Sequence, residues 1–73
     1  MYYFKIHALE SGKVLDASMS NEGEVVLWEA NGQMNQLWFW DGPDRDVLRN
    51  KAFPHLVKAT TKASNYHYLK PVF

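Results

Sequence analysis

The sequence has 73 residues, enough for one domain and no more. It contains no cysteine, which excludes disulfide bonds and thiolate metal sites. Eight basic and eight acidic residues give a formal net charge of zero, whereas nucleic-acid binding normally needs a basic excess for phosphate contacts. We therefore expect no nucleic-acid partner.

Apolar residues make up 47% of the chain and aromatic residues 15%, which is too apolar for a disordered protein. No apolar run approaches the ~20 residues that span a bilayer, and the first residues lack the charged and apolar regions of a secretory signal. We expect no membrane span and a cytoplasmic or non-classically secreted protein. A domain near this size buries only about 60% of its unfolded surface, so self-association would help it fold.

Short segments of alternating apolar residues predict β-strands, and no segment keeps a helical period with caps. The predicted strands cover residues 3–9, 13–17, 24–28, 35–40, 46–50, 55–59 and 66–69. Polar and glycine-rich turns separate them, and Asp41-Gly42-Pro43-Asp44 is the strongest of these turns. The fold class is therefore predicted to be all-β.

All three tryptophans lie within residues 25–40, in two predicted strands joined by a polar turn at Asn31-Gly32. This dipeptide favours positive φ and a tight reversal. Asn35 and Gln36 stand directly before the second aromatic run. Amides at such a place are costly to bury unless they are paired, so they should either brace the backbone or bind something polar.

The apolar pattern restarts after the turn that follows Trp40. Ile6 and Leu48 are 42 positions apart, and the same offset relates Val14 to Leu56. An offset that keeps its phase is typical of an internal repeat. We predict a single domain over residues 1–73, with one repeat unit at 2–42 and an incomplete second unit at 46–73.

Four short motifs follow one another in the first unit: Leu15-Asp16, Leu27-Trp28, Asn31-Gly32 and Gln36-Leu37-Trp38. In this order and spacing they resemble one repeat of the ricin B-type (R-type) lectins, which carry a Gln-x-Trp signature in each repeat. The resemblance covers residues 4–40 well and residues 46–69 loosely.

Members of that family are β-trefoils, in which three repeats close a six-stranded barrel capped by three hairpins. The resemblance therefore implies a partial β-trefoil of about one and three-quarter units. An open barrel exposes strand edges and apolar core, which invites pairing with another chain. We expect a homo-oligomer, most simply a two-fold dimer, that covers these edges. The alternative is that the sequence is a module cut from a longer chain.

The resemblance also implies a sugar site beside the second and third strands. Carried over by position, the carboxylate that accepts from sugar hydroxyls is Asp16, the aromatic that stacks on the sugar is Trp28, and the amide is Asn35, with Gln36 behind them. A carboxylate makes strong charge-assisted hydrogen bonds, and an indole offers a flat apolar face. The implied function is a lectin for galactose-type glycans, with no catalysis.

Each of these residues also has a structural interpretation. Asp16 can cap a turn, Trp28 can fill a core or an interface, Asn35 can satisfy loop backbone groups, and Gln36 can brace a turn from inside. Trp38 is expected in the core. The alternative function is thus a non-catalytic protein-interaction or structural module whose sugar site is degenerate.

The second unit carries Lys58 and Leu69 where the first unit has Asp16 and Trp28, which predicts one site per chain. A single shallow sugar site is usually weak, so binding would depend on multivalency through the oligomer.

Other chemistry has little support in the sequence. The three histidines are scattered, and no nucleophile motif or phosphate-binding loop is present, so we expect no metal, no cofactor and no enzymatic activity. Asp41, Asp44 and Asp46 cluster around a turn, where solvation explains them more simply than a pair of glycosidase carboxylates does.

Overall fold

The computed structural model describes residues 2–9, 11–60 and 69–72. Within these residues the chain forms seven short strands and a single 3₁₀ turn, and the predicted all-β class is confirmed. The strands are β1 (Lys5–Ala8), β2 (Val14–Ala17), β3 (Val25–Trp28), β4 (Trp38–Asp41), β5 (Val47–Asn50), β6 (Val57–Thr60) and β7 (Leu69–Val72), and the 3₁₀ turn (Met34–Gln36) precedes β4. In this described part, no helix is long and apolar enough to cross a membrane.

The strands form two small antiparallel sheets, with the orders β3-β2-β1-β7 and β4-β5-β6. An isolated bridge between Phe4 and Trp38 joins the sheets. In this bridge each backbone N–H donates to the other residue's carbonyl at 2.9 Å. Pro71 lies in β7, an edge strand, which is where a strand tolerates a residue without an N–H.

The strand positions follow the spacing of the predicted repeat. β5 begins 42 residues after β1, β6 begins 43 residues after β2, and β7 begins 44 residues after β3. The pairing differs in one respect, because β3 pairs with β2 whereas β7 pairs with β1. The division into units at 2–42 and 46–73 stays a prediction.

The core lies where the two sheets meet and is built from alternate strand positions. Its buried members are Phe4, Ile6, Leu15, Ala17, Trp38 and Leu48. Trp38 is fully enclosed, and its indole N–H donates to the carbonyl of Leu15 at 3.1 Å. The prediction that Trp38 belongs to the core is confirmed, and the bond satisfies the one polar atom of its side chain.

The predicted fourth strand, residues 35–40, is wrong at its start. Asn35 and Gln36 lie in the 3₁₀ turn, where Gln36 N donates to the carbonyl of Gln33 at 3.0 Å and Leu37 N donates to that of Met34 at 3.1 Å. The strand begins only at Trp38. The turn is favoured because it buries both neighbouring amide side chains, whereas a strand would direct them to opposite faces.

The tight reversal predicted at Asn31-Gly32 is also wrong. β3 pairs with β2 and β4 pairs with β5, so the two strands on either side of this dipeptide lie in different sheets. Gly32 does have positive φ, at 73°. The segment is a longer link between the two sheets because the side chain of Gln36 forms hydrogen bonds with its backbone.

The strand predicted at residues 55–59 is displaced and observed as Val57–Thr60. Leu56 N donates to the carbonyl of Phe53 at 3.1 Å, so His55 and Leu56 belong to a turn. The predicted strand at 66–69 falls mostly outside the described residues, which resume at the first residue of β7.

Gly23 connects the β2–β3 loop to the segment before β6. Its φ is +82°, and a Cβ atom at this position would lie 3.0 Å from Cγ of Phe53 and 3.3 Å from a methyl group of Leu56. The loop can therefore rest on Phe53 only because residue 23 has no side chain.

We predict that Gly23→Ala destabilises the protein by about 2–5 kcal/mol, which combines the cost of a left-handed residue with that of overpacking. Gly12→Ala is the matched control, since Gly12 has φ +74° but an added Cβ would meet no atom of the described residues within 4 Å. It should cost only about 1–2 kcal/mol. Urea unfolding measures both values, and equal losses would show that the contact with Phe53 contributes nothing.

Candidate functional site

The β2–β3 hairpin brings Asp16 and Trp28 to one face. In the register of this hairpin, Asp16 lies opposite Val26 and Val14 lies opposite Trp28. Since side chains two positions apart share a face, Asp16, Val26 and Trp28 project to the same side, away from the core residue Leu15. Asp16 and Trp28, which are predicted to belong to one site, therefore lie on the same face of the hairpin.

Asp16 is a buried carboxylate that is held by two amides. It is only 5% exposed. Asn35 Nδ2 donates to Asp16 Oδ1 and Gln36 Nε2 donates to Asp16 Oδ2, each at 2.9 Å. The described residues include no cation paired with Asp16. Its carboxylate is therefore stabilised by hydrogen bonds from neutral donors.

Gln36 lies directly behind Asp16 and is fully enclosed. Its Nε2 also donates to the carbonyl of Glu29 at 2.9 Å, and its Oε1 accepts from the backbone N–H of Asn31 at 2.8 Å. One side chain thus fixes both the carboxylate and the link that follows β3. Gln36 has no exposed surface that a ligand could contact in this structure. Its direct role in binding stays a prediction.

Asn35 keeps one polar atom without a partner. Its side chain is 6% exposed, its Nδ2 is used by Asp16, and its backbone carbonyl accepts from Asn50 Nδ2 at 2.9 Å. Its Oδ1 is buried and has no hydrogen-bond partner among the described residues. The amide cannot simply turn over, because its oxygen would then face a carboxylate oxygen of Asp16. A buried acceptor without a donor is uncommon and calls for an explanation.

A shallow cleft of about 340 Å³ opens above these groups. We call it the Asp16 cleft. Its lining residues are Asp16, Ser18, Met19, Ser20, Val26, Trp28, Asn31, Gln33 and Asn35. Trp28 is 60% exposed at this cleft, although a large aromatic side chain is normally buried on most of its surface.

Three of the four predicted site residues, Asp16, Trp28 and Asn35, line the same cleft, and Gln36 stands behind it. The sequence interpretation did not include the other polar lining residues, Ser18, Ser20, Asn31 and Gln33. The polar composition of residues 18–23 predicted a loop, and nothing in that composition indicates on which side the loop lies.

Asn50 is a further residue that the sequence interpretation missed. It is fully buried in β5, and besides holding the carbonyl of Asn35 it accepts from the backbone N–H of Ala52 at 2.9 Å through Oδ1. This links the second sheet to the floor of the Asp16 cleft. No sequence pattern identifies such a contact, which joins residues 15 positions apart.

Asp41, at the end of β4, belongs to a different environment. The backbone N–H of Gly42 and then the hydrogen bond from Arg49 hold the pKa of Asp41 below its usual value. Arg49 Nε lies 2.9 Å from Asp41 Oδ2. A carboxyl that is held ionised in this way is unsuited to act as a general acid, which needs a raised pKa. Within the part of the chain described here, no group of histidine and carboxylate side chains is arranged to hold a metal ion.

We predict that Gln36→Glu makes stability strongly dependent on pH. Two carboxylates would then face each other in a buried place, and the folded pair would hold a proton more tightly than the unfolded chain does. The loss of stability relative to the native sequence should therefore grow as the pH rises from about 4 to about 7, by about 2.7 kcal/mol for a shift of two pKa units.

Gln36→Met is the control for this experiment, since it removes the same hydrogen bonds without adding a charge. Its destabilisation should change less with pH than that of Gln36→Glu, as measured by urea unfolding, because Asp16 is then the only one of the two facing carboxylates present. A Gln36→Glu protein whose loss does not change with pH would mean that the two side chains are not in contact.

No family model, curated protein or solved structure matches the chain. The resemblance to ricin B-type lectins therefore stays a prediction based on the motifs of the first unit. The geometry of the Asp16 cleft is the basis for a proposal about function.

Proposed function

We propose that the protein is a non-catalytic carbohydrate-binding module. In this proposal it is a partial β-trefoil of the ricin B-type that recognises galactose-type glycans through one shallow site per chain. Homo-oligomerisation covers its open edges and makes binding multivalent. The observation that carries the proposal is that a fixed carboxylate, a buried asparagine and an exposed indole line one open cleft.

The hydrogen-bonding character of the cleft favours a ligand rich in hydroxyl groups. Asp16 has lone pairs beyond the two that the amides use. These are acceptors, so the ligand must bring donors, and an anionic ligand would be repelled by Asp16. A sugar hydroxyl donates, and a bond to a carboxylate is stronger than one between neutral groups.

This arrangement changes the role expected for Asn35. The resemblance implies an asparagine that donates to the sugar from its amide, whereas here the amide nitrogen is used by Asp16. The oxygen is buried, so in this structure Asn35 holds the carboxylate in place rather than presenting a group to the cleft. The acceptor that the cleft offers is therefore the carboxylate of Asp16.

Trp28 supplies the apolar half of the site. It lies diagonally across the β2–β3 pair from Asp16, a relation that places the two Cβ atoms roughly 7–8 Å apart. A pyranose ring can bridge that gap with a C–H face on the indole and hydroxyls on the carboxylate. The indole loses little conformational entropy on binding because it has only two side-chain torsions.

Oligomerisation is supported by apolar groups that the chain leaves uncovered. Leu27 lies opposite Leu15 in the hairpin register, on the core face, yet it is 41% exposed. Among the described strands, β3 also lies at the edge of its sheet, with no strand paired along its outer side. A second copy placed against this edge would cover Leu27, and a two-fold arrangement would satisfy both chains equally.

The same exposed strand supports a second candidate function. Val26, Leu27 and Trp28 form three consecutive exposed apolar residues at a sheet edge. Such an edge can bind an extended segment of another protein by adding a strand. A protein-interaction module with a degenerate sugar site would bind its partner at this edge, and Asp16 would contact no ligand.

We predict that galactose binding, measured by isothermal titration calorimetry, disappears in Asp16→Ala and weakens about tenfold or more in Trp28→Ala. The first change removes the charged acceptor, and the second removes a stacking surface that contributes about 1.5 kcal/mol or more. Trp28 is exposed, so its replacement should leave the fold intact.

Leu9→Ala provides the control for these variants, because Leu9 is 57% exposed but does not line the Asp16 cleft. It should bind as the unaltered protein does. A glycan array compared with the Asp16→Ala protein extends the test to other sugars. Binding by neither protein, or equal binding by both, would reject the carbohydrate function of this cleft.

We predict that the chain sediments as a dimer at micromolar concentration, with twice the 8.5 kDa mass of one chain. Leu27→Lys should release monomers, because it places a charge on the surface that we assign to the interface. The monomer should keep its affinity for free galactose but lose avidity for an immobilised glycan. A folded monomer of the unaltered chain at that concentration would contradict this part of the proposal.

A further inference from the structure

A second cleft, of about 350 Å³, adjoins the Asp16 cleft. It is lined by Met19, Gly32, Gln33, Met34, Asn35 and Ala52, and we call it the methionine cleft. Met19, Gln33 and Asn35 line both clefts. A ligand held over Asp16 can therefore extend into the methionine cleft without leaving the surface.

The two clefts differ in chemistry. The methionine cleft has no charged residue in its lining, and two methionines form much of its apolar surface. Both side chains are exposed, Met19 at 66% and Met34 at 57%. Methionine is flexible and polarizable, so it adapts to apolar groups of irregular shape. This surface suits an apolar group rather than another ring of hydroxyls.

Asn35 belongs to the wall that the two clefts share. The residue is more than nine-tenths buried, and its enclosed Oδ1 has no partner among the described residues. A ligand that spans this wall would be hydroxyl-rich on the side of Asp16 and apolar on the side of Met34.

Resting on the proposed function, we infer that the methionine cleft binds the apolar aglycone of a glycoside whose sugar occupies the Asp16 cleft. Size supports this class of ligand, since a closed cavity of roughly 150 Å³ is enough for benzene. A single methyl group would leave most of the methionine cleft empty. An aryl ring or a branched alkyl group occupies more of this volume and can contact the methionine side chains.

The test compares methyl and phenyl galactosides, each as both anomers, by isothermal titration calorimetry. One phenyl anomer should bind about tenfold more tightly than the matching methyl galactoside, as expected from the apolar area that a phenyl group buries. Met34→Gln keeps the size of the side chain and should abolish this gain. The affinity for methyl galactoside should not change, because Met34 does not line the Asp16 cleft.

Leu9→Gln is the matched control, since it removes an exposed apolar side chain outside both clefts and should keep the full gain. Equal binding of phenyl and methyl galactosides, or a gain that persists in Met34→Gln, would overturn the inference and leave the proposed function standing. Failure of every galactoside to bind would overturn both.

Discussion

The contact on which the rest of the site depends is the pair of hydrogen bonds from Asn35 and Gln36 to the two oxygens of Asp16. It joins β2 to the turn before β4, across 19 and 20 positions of sequence. A carboxylate can be buried here because both of its oxygens are satisfied by fixed donors. The 3₁₀ turn follows from the same contact, since it lets two consecutive amides reach one carboxylate.

The same network determines which atoms are left for a ligand. Gln36 uses its whole amide on Asp16, Glu29 and Asn31, so it contributes rigidity. Asn35 uses its nitrogen on Asp16, and its oxygen is enclosed without a partner among the described residues. The carboxylate of Asp16 is an acceptor that is already in place, and preorganisation of this kind lowers the entropy lost when a ligand binds. A hydroxyl-bearing ligand with an apolar face would use both this carboxylate and the exposed indole of Trp28.

Exposed apolar residues at a sheet edge support the proposed self-association. Within the described residues, the two sheets of four and three strands leave edge strands, and β3 exposes three apolar residues in succession. Alternation of apolar residues was enough to predict most of the strands, because burial on one face imposes that period. It failed around Asn35 and around His55, where side-chain and turn hydrogen bonds decide the backbone and leave no periodic trace.

The sequence by itself determined the all-β class, the core position of Trp38, and the residue types of the site, since strand periodicity and the chemistry of carboxylates, amides and indoles are local properties. Only the tertiary structure decided that Asn35 and Gln36 each donate to a different oxygen of Asp16, that Asn50 supports Asn35 from the other sheet, and that Met34 forms a neighbouring cleft. These relations depend on how two sheets pack and on hydrogen bonds between distant residues. No local pattern encodes them, because any buried donor can satisfy an amide or a carboxylate from any part of the chain.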